Sequence, residues 1–338
     1  MKAIGYSKTG PIDADRSLED IVIDDPVPGA RDLLVEIKAI SVNPVDTKVR
    51  QRAGPESGHK ILGWDASGIV RSVGAEVVHY KAGDEVYYAG AIDRPGANSE
   101  LHVVDERIVG RKPATLSHTE AAAMPLTTIT AWELLFDRFG IAENGGENKS
   151  LLIIGGAGGV GSLMIQLAVN FTKLNVVATA SRPDTIAWCK KMGAHHIIDH
   201  REDMKAALEA LNIVPNYVAG LTATDQHFEF IADVIAPQGK FGLIDDPDAS
   251  AINISLLKQK SVSLHWEFMY TRSMMQTEDI EAQRELLNRV SEAVDAGTLV
   301  TTMNRHMGVI NATNLKEAHA FQESGSAIGK TVLEGFDK

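Results

Sequence analysis

The sequence predicts an α/β protein in which a β-rich lobe precedes a doubly wound parallel sheet. Three observations predict it. Leu151-Leu152-Ile153-Ile154 is a short apolar run that breaks into glycines at Gly155-Gly156-Ala157-Gly158-Gly159-Val160-Gly161. The glycines open directly into a helix-length apolar stretch from Ser162 to Ala168, the pattern of a central strand buried on both faces and turning into a helix. From Leu151 to about residue 265, strand-like and helix-like segments alternate, which implies parallel pairing. Residues 1 to about 120 instead show short strands separated by turns before any strong helix, the pattern of a small barrel or sandwich and hence of a separate lobe.

Taken in order, Met1–Tyr6 and Asp32–Ile40 alternate apolar with polar residues at the period of half-buried strands. Ala66–Val73 and Asp84–Tyr88 follow as strands, punctuated by Gly74, Gly83 and the Arg94-Pro95-Gly96 turn. Ser117 with Glu120 three residues on is a capping-box signature ahead of Ala121-Ala122-Ala123-Met124. Pro125 interrupts that helix, so a break or a second helix running through Ala131 and Leu135 is expected. After the glycine turn, Val176–Ala180, His195–Ile198, Tyr217–Leu221, Gly239–Ile244 and Val262–Leu264 read as strands of one sheet. Ile280, Leu287, Val290 and Val294 share one helical face, ended by Gly297. A last helix is expected to start at Asn314, with Glu317 at its third position and Gly325 as its stop, and Lys330–Leu333 reads as a closing strand.

Composition narrows the function classes. The 338 residues suggest two domains, with 44% apolar and 23% charged residues, as in an ordinary soluble enzyme. A net charge of −12 argues against nucleic acid or an anionic membrane as a main partner. No apolar run approaches a membrane span, and the amino terminus lacks a signal-peptide pattern. The single cysteine, Cys189, forbids an internal disulfide and suits a reducing compartment, so a cytoplasmic protein is the default expectation.

The chemistry starts at the glycines. Gly156, Gly158 and Gly161 fit the spacing G-x-G-x-x-G. In that pattern the first glycine permits the tight turn, the second lets a pyrophosphate approach, and the third lets helix and strand pack closely. The free N–H groups of the next helix then face the phosphates. The second strand ends at Ser181-Arg182, about twenty residues further on. An NAD site places a carboxylate there, on the ribose 2′-hydroxyl. A small hydroxyl followed by a guanidinium suits a 2′-phosphate instead, which favours NADPH over NADH. The competing reading is that Arg182 is a solvated loop residue beside Pro183.

The ordered set of motifs carries a resemblance over nearly the whole chain. It comprises Ser41-Val42-Asn43-Pro44-Val45-Asp46, Gly63-Trp64-Asp65-Ala66-Ser67-Gly68 and Gly83-Asp84-Glu85-Val86-Tyr87. It continues with Met124 to Trp132, Gly156 to Gly161 and Gly329-Lys330-Thr331-Val332-Leu333. With these the chain resembles the medium-chain dehydrogenase/reductase superfamily, in particular its quinone oxidoreductase branch and the zinc-type alcohol dehydrogenase-like proteins. The resemblance implies a Rossmann doubly wound parallel sheet inserted in a groES-like β-barrel domain. It implies a first barrel segment over 1–122, a dinucleotide-binding domain over 123–268, a return to the barrel over 269–338, and an active site in the cleft between the lobes. It also implies a homodimer made by edge pairing of nucleotide domains.

Zinc-using members of that superfamily place thiolates in the loop where this chain has Asn43 to Asp46. They place His and Glu where it has Trp64-Asp65, and a further Cys near Leu126-Thr127. Their four-cysteine lobe falls where Ala89 to Ser99 holds none. One cysteine builds neither tetrahedral site, so no metal is expected. Asp46, His59 and Asp65 form a conceivable hard-ligand alternative, although such residues more often serve as loop hydrogen bonders.

Without a Lewis acid, the easier task is hydride delivery to an acceptor that is already electrophilic, a quinone or an α,β-unsaturated carbonyl. The developing oxyanion then needs hydrogen-bond donors. Candidate catalytic residues are Asn43, beside the nicotinamide or the substrate oxygen, Asp46 and Trp64 shaping the pocket, and Tyr88 as a phenol donor. For Asn43 the alternative is a turn residue, for Tyr88 packing, and for Asp65 the ordering of its own turn. The cofactor set is Asn43, Thr127, Gly156, Gly158, Gly159, Val160, Gly161, Ser181, Arg182, Ile244, Asp245 and Lys330. Lys330 enters it because related chains bring a lysine towards the cofactor, against the alternative of a solvated lysine on a last strand. His265 to Tyr270 either lines the cleft or forms dimer surface or core. Two other readings stay open: an NADPH-binding redox sensor or structural protein with little turnover, and a methyltransferase using the glycine loop. Arg182 argues against the second.

Overall fold

The computed structural model describes residues 1–55 and 57–336. In chain order its first elements are β1 (Lys2–Tyr6), β2 (Glu19–Val22), β3 (Asp32–Val42), α1 (Pro44–Arg52), β4 (Lys60–Ile61), β5 (Ala66–Val73), β6 (Glu85–Tyr88), β7 (Leu101–Asp105) and β8 (Val109–Arg111). Helices α2 (His118–Ala122) and α3 (Pro125–Trp132) follow. Then come β9 (Ser150–Ile154), α4 (Gly159–Phe171), β10 (Asn175–Thr179), α5 (Pro183–Lys191), β11 (His196–Ile198), α6 (Met204–Ala210), β12 (Tyr217–Gly220), α7 (Thr224–Val234), β13 (Lys240–Leu243) and β14 (Ser263–Trp266). The chain closes with α8 (Thr271–Met275), α9 (Ala282–Asp295), β15 (Met303–His306), α10 (Ala312–Glu323) and β16 (Lys330–Glu334).

Two compact units result, Met1–Ile129 with Tyr270–Lys338 and Thr130–Met269. The divisions fall inside α3 and after Met269, where the sequence reading set them at 122/123 and 268/269. Among the described residues no helix is long and apolar enough to cross a membrane.

In the first unit, the alternation along β3 works as expected: Leu33, Val35, Ile37 and Ala39 are buried while Asp32, Leu34, Glu36 and Lys38 are half-exposed. This long strand is the spine of a seven-stranded sheet ordered β15-β16-β3-β5-β6-β8, with β7 also pairing β3. The closing strand β16 runs antiparallel to β3, placing Thr331 opposite Val42 and Leu333 opposite Ile40. A three-stranded sheet, β2-β1-β4, completes the β-rich part. The capping box at Ser117 and Glu120 forms, and Pro125 starts a second helix rather than ending helical structure. That helix widens into a π-turn at Glu133–Arg138. The last helix begins earlier than expected: Asn311, not a residue at 314, is its cap, and its side chain accepts the N–H of Asn314. Asn at 311 competes as well as any residue for that role, and the Glu317 signal points one turn too far.

The second unit is a six-stranded, fully parallel sheet ordered β11-β10-β9-β12-β13-β14. Numbered within the unit this is 3-2-1-4-5-6, and ligands bind such sheets where the order reverses, here beyond the ends of β9 and β12. Leu151 to Ile154 are buried, as a strand covered on both faces requires. The one cysteine, Cys189 on α5, is fully buried and its thiol is pushed up to about 11 by desolvation.

Candidate functional site

The glycine turn sits at the switch point of the parallel sheet, and each glycine there has a separate steric reason. Gly155 alone takes a left-handed conformation, with φ of +89°, so the tight turn belongs to it and not to Gly156 as the motif reading had it. A Cβ on Gly156 would lie 2.7 Å from Ala178 Cβ and 3.1 Å from Cys189 Sγ, so its role is close packing between loop and sheet. A Cβ on Gly161 would lie 2.4 Å from the Gly155 carbonyl, the helix-to-strand contact expected of the third glycine. Gly158 differs: the nearest atom to its added Cβ is the Gly155 carbonyl at 3.6 Å. That face of the loop is open, in front of a helix whose cap is Gly158 and whose first residues are Gly159, Val160 and Gly161. The first N–H groups of a helix lack intrahelical partners, so this opening is fit for an anion such as a pyrophosphate. The loop is held by β10, through Gly155 N to Thr179 Oγ1 at 3.0 Å and Gly156 N to the Thr179 carbonyl at 3.2 Å. It is held by the helices through Trp188 Nε1 donating to Ser162 Oγ at 2.8 Å, which donates to the Gly158 carbonyl at 2.6 Å.

At the end of β10, Arg182 caps α5 and its half-exposed guanidinium lies 3.5 Å from Asp184. Ser181 is not alone with it. Arg201, which the sequence reading passed over, donates from Nη2 to the Ser181 carbonyl and pairs with Asp199 at 2.8 Å. It comes from the turn after β11, which the parallel pairing of β10 with β11 sets beside the end of β10. Arg201 in turn holds the Asp199 carboxyl down at about 2. The signal for it was the Asp199-His200-Arg201 turn closing a predicted strand. At the far side of the switch point, Ile244 and Asp245 follow β13; the Asp245 carboxylate accepts from Thr224 N at 2.9 Å and Thr224 Oγ1 at 2.6 Å, fixing the start of α7.

The first unit gathers a second group of candidates into one dry polar cluster. Asp65 is its hub and is fully buried. It accepts from Ser41 Oγ at 2.9 Å, Asn43 Nδ2 at 2.8 Å, the Leu126 backbone N–H at 2.8 Å and Lys330 Nζ at 3.0 Å. Asp65 therefore ties several elements together instead of ordering its own turn. Lys330 also donates to the Val42 carbonyl at 2.9 Å and to Asn43 Oδ1. An ammonium has three donors, and all three are engaged inside this unit. Lys330 is not the solvated lysine of the alternative reading: it is 4% exposed and braces Asn43 and Asp65. Asn43 is 1% exposed and its amide is gripped at both ends, so it serves as a brace as well.

Asp46 is 1% exposed and accepts the backbone N–H groups of Asn43 at 2.7 Å and Gly63 at 3.0 Å, so it orders the start of α1 rather than walling an open pocket. Burial, helped by Asp65, pushes its carboxyl up to about 7 against the pull of those N–H groups and Lys330. Trp64 is fully buried, with Nε1 donating to the Ala91 carbonyl at 3.1 Å and its ring meeting Tyr270 edge-on at 6.3 Å. Thr127 is buried and gives its hydroxyl proton to the Met124 carbonyl at 3.0 Å. Tyr88 is corrected as a donor: it is 1% exposed, stacked on His102, and its hydroxyl is 3.0 Å from His102 Nδ1. His102 Nε2 bonds the Pro95 carbonyl at 2.9 Å, so the imidazole accepts the phenol's proton. A cavity of about 920 Å³ opens elsewhere on this unit, lined by Gly54, Pro55, His59 and the loop at 92–96, and none of the catalytic or cofactor candidates lines it.

Zinc does not fit the positions where related enzymes hold it. Trp64 offers no ligand atom, and Asn43 Oδ1 and Asp65 Oδ2 already face the Lys330 ammonium. His59 pairs with Glu19 at 3.3 Å, apart from the buried Asp46 and Asp65. Among the described residues no group of three or more His, Cys, Asp or Glu is placed to hold a metal ion.

Comparison with known proteins agrees over the full length. Residues 29–115 match the alcohol dehydrogenase GroES-like domain, and residues 192–333 match the zinc-binding dehydrogenase model. A zinc-type alcohol dehydrogenase-like protein of Staphylococcus epidermidis is 38% identical over 98% of this chain and 99% of its own. A crystal structure from Rhizobium etli, named for zinc-dependent alcohol dehydrogenase, superposes with a TM-score of 0.96 at 54% identity, covering 100% of this chain and 99% of the other. The quinone oxidoreductase of Escherichia coli, solved with NADPH, shares the fold with a TM-score of 0.84 at 24% identity, over 99% of this chain and 100% of that one.

Proposed function

Since the chain belongs to the medium-chain dehydrogenase/reductase superfamily and is an oxidoreductase of that family, we propose that it is a zinc-independent, NADPH-dependent reductase of quinones or α,β-unsaturated carbonyls. The observation that carries the reading is the corner at the end of β10, where Ser181 stands in place of a carboxylate, Arg182 follows it in the chain and Arg201 bonds its carbonyl. The acids nearby, Asp184 and Asp199, each already answer a guanidinium. A dianionic 2′-phosphate suits such a corner, with fork-shaped donors that match its oxygens.

When bound, the nicotinamide supplies hydride, and the protein's share is to hold and orient. Gly158 to Gly161 would hold the pyrophosphate on open backbone, and Ser181, Arg182 and Arg201 the 2′-phosphate. Ile244 and Asp245, at a strand end on the ligand side of the sheet, offer backbone to the carboxamide. Asn43, Asp46, Asp65 and Lys330 keep the loop after β3 in one conformation, a bracing role in which Lys330 supplies the positive charge that a metal supplies in zinc-using relatives. The edge strand β14 carries Trp266 at 58% exposure and is followed by Phe268 at 44%, which supports a homodimer through this sheet edge.

Dinucleotide titration tests the reading. Arg182→Ala should weaken NADPH by about 1–3 kcal/mol, roughly 5- to 150-fold, and leave NADH nearly unchanged. Equal weakening of both would count against it. NADPH oxidation with a panel of quinones and enones should show turnover; tight NADPH binding with no acceptor reduced would favour a sensor.

A further inference from the structure

Two glutamates of the second unit lie outside every role described so far. Glu133 opens the π-turn at the end of α3, and Glu267 follows β14, the edge strand of the parallel sheet. Both side chains are fully buried. They share one guanidinium: Arg138 Nε is 2.9 Å from Glu267 Oε2, and Arg138 Nη2 is 3.6 Å from Glu133 Oε2. Two buried like charges drawn to one cation raise each other's affinity for a proton. One proton leaves a single negative charge opposite Arg138 in a dry site. Without it, two negative charges held away from water face the same guanidinium, an arrangement that burial penalises.

We propose that Glu133 and Glu267 hold one proton between them and, with Arg138, form a proton-dependent latch that fixes the end of β14. The backbone confirms what the latch holds, since Glu267 N donates to the Leu243 carbonyl at 3.0 Å and so closes the segment onto β13. Glu267 is 3% exposed between Trp266 and Phe268, which face outward from this unit, so its side chain is the inward anchor of the stretch. The anchor lands on six residues of π-helix, a geometry found mostly as single turns at functional positions. The other charged groups here are Lys240 on β13, whose Nζ donates to the Phe139 carbonyl at 2.7 Å, and His265 on β14, whose ring meets Phe139 edge-on. Burial first, then Lys240 and Arg138, holds His265 below its usual range, so it stays neutral as pH rises.

Burial and the Glu133 carboxyl push the Glu267 acid far above the carboxylate range, to about 9. An acid raised in the folded state keeps its proton where the opened segment loses it. Between about pH 5 and 9 the latch therefore weakens as pH rises, with opening favoured about tenfold per pH unit, and the effect levels off above 9.

Hydrogen exchange of peptides covering residues 262–269, corrected for intrinsic rates, tests this on the full chain from pH 6.5 to 9. Wild type should lose protection there by about tenfold per pH unit. Glu267→Gln keeps a donor towards Glu133 without a titrating proton, and Glu133→Gln leaves Glu267 alone with Arg138; each should flatten the slope by at least about threefold per unit. If one variant fails to fold, the other decides. A wild-type slope retained in a folded variant, or no slope in wild type, overturns the latch.

Discussion

Gly156 and Gly161 are hemmed in while Gly158 faces open space, so substitutions in the nucleotide turn separate folding from binding. Gly156→Ala drives a methyl against Ala178 and Cys189, and Gly161→Ala drives one into the Gly155 carbonyl. Both should destabilise by about 1–3 kcal/mol through overpacking, read as a lower urea midpoint. Gly158→Ala meets open space, and its φ of −71° suits alanine, so the loss should not exceed about 1 kcal/mol, the cost of alanine at an N-cap. Its dinucleotide affinity should nonetheless fall at least about tenfold, because the methyl stands where a pyrophosphate must approach the backbone. A large stability loss in this variant together with unchanged binding would remove Gly158 from the site.

Elements meet most tightly where the start of α1, the turn before β5 and the first residue of β16 share one buried ion pair. Lys330→Met keeps the side chain's bulk but leaves Asp65 charged in a dry site. It should cost about 3–5 kcal/mol in urea unfolding, much more than loss of a surface lysine. A loss below about 1 kcal/mol would mean that Asp65 finds other compensation. This is also where sequence reading reached its limit. The motif around Asn43, the Trp64-Asp65 turn and the closing Lys330 each stood out singly, yet Lys330 and Asp65 are 265 positions apart and no local pattern pairs them. Strands and turns were legible because period and glycines act over a few residues: β3, β9, β10 and the Ser117 cap fall where periodicity and capping chemistry put them. Short strands such as β2, β7 and β15, with polar or mixed sequences, and the helix α1 carry no such period and went unread. Arg201 was missed for a related reason, since only pairing between β10 and β11 brings it to Ser181.

At the scale of the whole molecule, the first unit depends on residues from both ends of the chain. β16 lies between β15 and β3, so ending the chain at Gly329 removes a central strand together with Lys330. That truncation should abolish folding of the first unit, seen as loss of slow hydrogen exchange in β3 and β5 peptides. Retained protection there would show that β3 and β5 suffice by pairing with each other. The second unit is one continuous stretch, Thr130–Met269, and its peptides should keep their protection in the same experiment. Finally, the sole sulfhydryl is sealed beneath the nucleotide turn and resists ionisation. Maleimide-type reagents will pass the native protein by, so a cysteine introduced at any exposed position becomes a unique attachment point for a fluorophore or spin label. Motion of either unit can then be followed without first engineering the natural residue away.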